Sequence, residues 1–214
     1  MSKVVFDLAR IESMEKVERL HLMNSITGVK PANLIASIDE QGRENVAVFS
    51  SVVHLGSAPA LLGFVLRPSF NGNRHTYENI KQMGVYSINA VTSDTIAQAH
   101  YSSARFARDV SEFSQIGLHP EYREGFAVPF VQESPVQIGM RFVDELYIEA
   151  NQTRMIIGAV ESVAVDEQGL DEKLLLNLEA LGLAGIAGLS SYYQMQRIAE
   201  FNQAEVGEFP RNIL

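Results

Sequence analysis

Among 214 residues there is no cysteine. This excludes disulfides, thiolate metal sites, iron–sulfur clusters and a cysteine nucleophile. Positive charge is also scarce. Lys and Arg number 17 against 26 Asp and Glu, giving a net charge of −9. The basic residues stand singly, with no stripe of the kind that releases counterions from a nucleic-acid backbone. Any anion site must be local. No apolar run reaches the roughly 18–20 residues that cross a bilayer. The longest weakly polar stretch, residues 174–190, is interrupted by Asn177, Glu179 and several glycines. The first twenty residues carry charges and no apolar h-region, so no signal peptide is expected. Five histidines form no H-E-x-x-H or H-x-H pair, and no metal site is expected. The reading is a cytoplasmic protein with no nucleic-acid and no membrane partner.

What is present is a core. Hydrophobic residues make up 46% of the chain, enough for one sizeable interior, and residues 1–214 read as a single domain. Helical spacing of Ile11, Met14, Val17 and Leu20 predicts a helix over 11–23. Strands are expected at 32–39, 46–55 and 60–66, with Gly42 taking positive φ in the first turn. A helix over 75–83 should end at Gly84, followed by a strand over 85–91. A further helix is expected over 94–105, capped by Thr92, Ser93 or Asp94, and a short one near 111–116. Residues 136–150 and 154–165 read as a long hairpin, with 151–153 at its tip. A helical tail is expected from 171, interrupted by Gly182, Gly185 and Gly188. The class is α+β, mainly β: a barrel with peripheral helices.

One region assembles chemistry. The start of the 75–83 helix offers unpaired N–H groups and a dipole that favours an anion, with Thr76 adding a hydroxyl. Arg67, ending the preceding strand, can add a charged fork that matches phosphate oxygens. Ser50 and Ser51, read as mid-strand neighbours, put one hydroxyl on each face. Taken singly, a Thr at a helix start is usually a cap and an Arg-Pro at a strand end usually a solvated loop. Their order carries more weight than any one of them.

That order resembles the flavin reductase-like family of FMN-binding split barrels. The matching features are N-L-I at 33–35, F-S-S at 49–51, the turn at Pro59, R-P at 67–68, H-T-x-x-N-I at 75–80 and G-x-Y-x-I-N at 84–89. The resemblance implies a Greek-key split barrel that holds FMN non-covalently, usually as a homodimer, and acts on a small-molecule redox substrate. By position, Asn33 would lie near the flavin ring. Phe49, Ser50, Ser51 and Val52 would bond its pyrimidine edge and ribityl chain. Arg67 with Pro68, His75 and Thr76 would hold the phosphate, and Asn79 would brace the loop. NADH or NADPH is the electron donor that the family suggests.

One position departs from the pattern. Where many flavin reductases carry a G-D-H histidine that receives the nicotinamide, this chain has Asn151-Gln152-Thr153. That favours an alternative: a non-catalytic FMN electron carrier fed by a partner protein. A hydrolase using Ser51 with His54 or His75 is disfavoured, because there is no G-x-S-x-G elbow. The glycines at 182, 185 and 188 lack the spacing and preceding strand of a dinucleotide loop. They read as close-packing positions. Tyr192 and Tyr193 are candidates for the cofactor entrance or for core packing. The charges along the long hairpin read as a solvated sheet face, and residues 109–122 as a lid. Which residue is catalytic is not legible.

Overall fold

The computed structural model describes residues 2–68 and 74–214. The N-terminal segment forms two helices instead of one, α1 (Leu8–Ser13) and α2 (Lys16–Ser25). Met14 and Glu15 between them are extended, with ψ of 144° at each. Asp7 caps α1 by accepting from the Arg10 N–H at 2.9 Å.

The chain then enters β1 (Lys30–Pro31) and β2 (Asn33–Ile38). Every residue of β2 is buried. Leu34 and Ala36 enter one apolar cluster and Ile35 the other, as the two-residue period of a strand requires. This explains why the run is apolar on both faces. A turn with Gly42 at φ 75° leads into β3 (Glu44–Phe49). The run expected as one strand to residue 55 breaks after Phe49 and resumes as β4 (Val53–Ser57), followed by β5 (Ala60–Leu66).

Helix α3 (His75–Met83) stops at Gly84, whose φ of 72° is the left-handed conformation that glycine adopts without steric cost. Next come β6 (Val85–Ala90), a 3-10 turn whose Thr92 and Thr95 cap each other, and α4 (Ile96–Tyr101). That helix is shorter than its pattern. After it stand α5 (Glu112–Ile116), the hairpin β7 (Pro120–Arg123) and β8 (Phe126–Val131), and the long hairpin β9 (Val136–Ile148) and β10 (Thr153–Val165).

The expected helical tail does not form. The chain instead makes β11 (Ala184–Ala187) and β12 (Ser191–Gln194), which join β1 in a three-stranded sheet. Gly182 and Gly188 have φ of 63° and 67°, which a right-handed helix cannot contain. Gly185 is a close-packing position: a Cβ there would come within 2.2 Å of the Val29 side chain.

Seven strands form the main sheet in the order β3-β2-β6-β9-β10-β5-β4, every pair antiparallel. Its edge strands β3 and β4 are consecutive in sequence, joined by residues 50–52. The sheet therefore curls until both edges belong to one run of chain. This is a Greek-key split barrel, and the split lies at Ser50, Ser51 and Val52. The Ser51 hydroxyl spans it, accepting from Val65 N at 3.0 Å and donating to Val65 O at 3.2 Å. A side chain thus stands in for a ladder bond where the pairing parts.

Candidate functional site

A cavity of about 520 Å³ opens beside the split. Its volume lies within the range of small-molecule sites. Val48, Phe49, Ser50 and Ser51 come from β3 and the split; Val65 and Arg67 come from β5 and its end. The end of α2 and β1 supplies Met23, Asn24, Thr27 and Lys30. Ile186, Gly188 and Leu189 close it from β11 and the following turn.

Two of its cations meet at one residue. Arg67 Nη2 donates to Asn24 Oδ1 at 2.8 Å, and Lys30 Nζ donates to the Asn24 carbonyl at 2.7 Å. Two cations are thereby held beside one asparagine. The Asn24 amide donates in turn to Leu20 O at 2.7 Å, which locks it to its own helix. Thr27, Ser50, Ser51 and Ser103 add hydroxyls to the lining. Apolar side chains (Met23, Val48, Phe49, Ile186 and Leu189) form the remaining wall. Two cations held together, four hydroxyls and an apolar wall fit a flat ring joined to a phosphate.

The other half of the expected phosphate site lies elsewhere. Thr76 is buried and spent: its hydroxyl is 2.9 Å from the Asn45 amide, whose nitrogen faces Glu112 Oε1 at 3.3 Å. Asn79 donates to Ser37 Oγ at 3.1 Å and accepts from Arg108 Nη2 at 3.1 Å. Arg108 also pairs with Glu78 and reaches Asp39 at 3.5 Å. Glu78 Oε1 accepts from the Arg74 N–H at 3.3 Å, so a carboxylate already complements the start of α3. The space left among these groups is about 10 Å³, too little for a phosphate. Burial first, and the Arg108 charge next, push the His75 imidazole below its ordinary value, which favours its neutral form. His75, Thr76 and Asn79 therefore belong to a packed polar network under the β2–β3 turn. Among the described residues they line a different cavity from Arg67 or none.

The other expected residues divide between these regions. Phe49, Ser50, Ser51 and Arg67 line the cavity beside the split. Val52 packs on the interior cluster that contains Phe64 and Tyr86. Asn33 sits opposite Phe49 in the ladder, buried, with its amide 3.4 Å from Pro31 O. Pro68 faces a different concavity, together with Arg74 and Arg154. Tyr192 packs against the core cluster and its hydroxyl is 3.4 Å from His100 Nδ1. His54 is 3.1 Å from Ser57 Oγ, both exposed on β4.

Sequence reasoning missed Asn24, Thr27, Lys30 and Gly188. Lys30 carried a weak signal, as an isolated cation just before a buried strand. The others reach the cavity through the packing of α2 and the turn after β11, which local spacing does not encode.

A family model for the flavin reductase like domain matches residues 28–181. A solved structure from Shewanella frigidimarina NCIMB 400, described as a flavin reductase with split barrel domain, is 39% identical and superposes with a TM-score of 0.90. The alignment covers 94% of this chain and 100% of that one. Nitrilotriacetate monooxygenase component B from Bacillus cereus shares the fold at 17% identity and a TM-score of 0.82, over 94% of this chain and 99% of its own. An uncharacterized protein of Aquifex aeolicus (strain VF5) is 25% identical over 166 residues, 77% of this chain and 83% of its own. The matched segment runs from β1 through the split, α3 and the long hairpin, and on these grounds the chain belongs to the flavin reductase-like family.

Proposed function

We propose that the protein is an FMN-dependent oxidoreductase: a single-domain cytoplasmic homodimer that holds FMN in the cavity beside the split and passes electrons to a small-molecule substrate. The observation that carries this reading is the meeting of Arg67 and Lys30 at Asn24, in a cavity with an apolar wall. Two or three charge-assisted hydrogen bonds, at roughly 1.5–3 kcal/mol each, supply much of a micromolar affinity of about −8 kcal/mol. Burial of the ring against Phe49, Ile186 and Leu189 supplies the rest. Bound flavin contributes reversible hydride and electron chemistry. The chain's part is to hold the phosphate with Arg67 and Lys30, to offer the hydroxyls of Ser50 and Ser51, and to keep water from the apolar wall.

Purified protein should be yellow. The double variant Arg67→Ala, Lys30→Ala should be folded by circular dichroism and colourless. FMN retained at full stoichiometry in that variant would refute the assignment of the cavity.

A second reading is a flavin electron carrier without its own nicotinamide reaction. The hairpin tip favours it, because Asn151, Gln152 and Thr153 provide no histidine. Anaerobic addition of NADH or NADPH separates the two: bleaching within turnover times supports the reductase, and persistent colour supports the carrier.

A further inference from the structure

Asn24 stands in the last turn of α2, ahead of residue 28, where the match to the flavin reductase like domain begins. Several elements meet on it. Its side-chain amide donates to Leu20 O, one turn back, at 2.7 Å. This leaves Oδ1 facing Arg67 Nη2 at 2.8 Å. Its carbonyl accepts from Lys30 Nζ at 2.7 Å and from the Gly188 N–H at 3.2 Å. Helix α2, the start of β1, the residue just past β5 and the turn after β11 are thereby tied through one residue in the wall of the cavity beside the split.

The chemistry of the holder matters. A carboxylate that steadies an arginine or a lysine also cancels its charge. Among the described residues no carboxylate lies within 4.0 Å of Arg67 or Lys30, and residues 69–73 contain no acidic side chain. The acceptors are the two neutral amide oxygens of Asn24, with the Thr27 hydroxyl 3.3 Å from Lys30 Nζ. The Asn24 carbonyl lies at the C-terminal end of α2, where the helix dipole favours a cation, which accounts for the place of Lys30. Arg67 is exposed, and without a partner its long side chain would populate many rotamers. Bonded to Oδ1, it is ordered before any ligand arrives, which spares the ligand that cost. Both cations keep their full charge in a chain of net charge −9.

We propose that Asn24 is the positioning residue of this cavity: it aims Arg67 and Lys30 without neutralising them, so that the pair holds a phosphate monoester as its dianion. The inference rests on the flavin reading of the cavity, and adds to it the ionisation state of the group held and the residue that sets it. A free monoester loses its second proton at about pH 6. Two adjacent uncompensated cations lower that value, because they favour the doubly charged form.

The probes are FMN and riboflavin, titrated by flavin fluorescence into the full chain after removal of bound flavin. Asn24→Asp keeps an oxygen for Arg67 and adds a negative charge. It should weaken FMN by roughly tenfold or more and riboflavin by less than about twofold, because riboflavin has no phosphate. Asn24→Leu is similar in size and offers no acceptor. It should weaken FMN by about threefold to tenfold, again with riboflavin spared. In the FMN-loaded parent, the phosphorus NMR resonance should stay at its dianion position from about pH 8 to about pH 5.5, and in Asn24→Asp it should titrate near the ordinary value of about 6. A role confined to helix packing would move FMN and riboflavin together and leave the phosphorus titration alone, and that result overturns the proposal. So does an Asn24→Asp chain that binds FMN as tightly as the parent. Circular dichroism reports folding, and Asn24→Leu, which adds no charge at the helix end, carries the test if Asn24→Asp does not fold. Arg67→Ala separates the two readings. If it leaves FMN affinity unchanged, the flavin assignment of the cavity falls and this inference with it. If it weakens FMN while neither Asn24 variant does, this inference alone falls.

Discussion

Glu112 is a carboxyl 6% exposed whose Oε2 has no hydrogen-bond partner. Burial pushes its pKa up, and the hydrogen bonds it does make offset this only in part. A group that binds its proton more tightly when folded favours the native state at low pH. That contribution is fully present below the unfolded carboxylate value of about 4.3 and is lost as pH rises through the folded value. Glu112→Gln removes the penalty of a buried charge. The variant should be more stable than the parent at pH 7 by on the order of 1 kcal/mol, and the gain should vanish near pH 4, as read by urea midpoints at the two values. Asp39 has the opposite sign. Desolvation raises its pKa, but hydrogen bonds from Arg43 and the Gln41 N–H outweigh it and the net shift is downward. Its stabilisation is present above the ordinary carboxylate value and is lost as pH falls through the folded one. Arg43→Gln should therefore move the acid-unfolding midpoint to higher pH. Tyr86 presents a third case. Its hydroxyl is buried and unpartnered, in space that Gly158 leaves by lacking a Cβ. Tyr86→Phe should leave stability unchanged or raise it by up to about 1 kcal/mol, with the denaturant slope unaltered.

Among the elements, those defined by local chemistry were readable in the sequence. Helix α3 begins and ends at its expected residues because Gly84 supplies the one backbone conformation that stops it. The β2–β3 turn followed from Gly42, and the long hairpin from two extended β-branched runs. The split was not readable. Apolar character runs on from Val46 to Leu55, and only the change of pairing partner, from β2 to β5, marks the break. The tail misled for a related reason: Ala184–Ala187 is too short for its period to separate a buried strand from a helix turn. The candidate site divides along the same line. Phe49, Ser50, Ser51 and Arg67, where hydroxyls and a cation punctuate apolar strands, line one cavity. Thr76 and Asn79 bond buried side chains instead, and a hydroxyl at a helix start reads the same in sequence whether it faces a ligand or a buried amide. The break carries its own prediction. Ser51→Ala deletes the hydroxyl that links the split to Val65, and should cost on the order of 1–2 kcal/mol. Ser50→Ala, at the neighbouring cavity-lining position, should cost less than 0.5 kcal/mol by the usual scale of non-core changes. Equal losses in paired urea titrations would show that the hydroxyl bridge does not hold the split.

At the scale of the molecule, the chain displays apolar surface that it does not cover itself. No helix is long and apolar enough to cross a membrane among the described residues, so a bilayer-spanning helix does not account for that surface. Beyond β12 the backbone makes only isolated bridges, Phe201 to Asn212 and Glu205 to Glu208. Along it Ile198, Val206 and Phe209 are 84%, 108% and 92% exposed. The long hairpin adds Leu146 and Val163, each 57% exposed. A segment with so few internal bonds and such side chains gains order by burying them on another surface, and isologous pairing of two copies is a common way to do so. The homodimer proposed above therefore makes a specific demand on the tail. Sedimentation equilibrium of the full chain should give twice the 23.7 kDa protomer mass, and deletion of residues 197–214 should shift the population toward monomer without unfolding the barrel, since neither core cluster draws on that segment. A full-length chain that sediments as a monomer at micromolar concentration would rule out the homodimer. A truncated chain that remains a dimer would move the interface from the tail to the outer face of the hairpin near Leu146, where Leu146→Lys should then dissociate it.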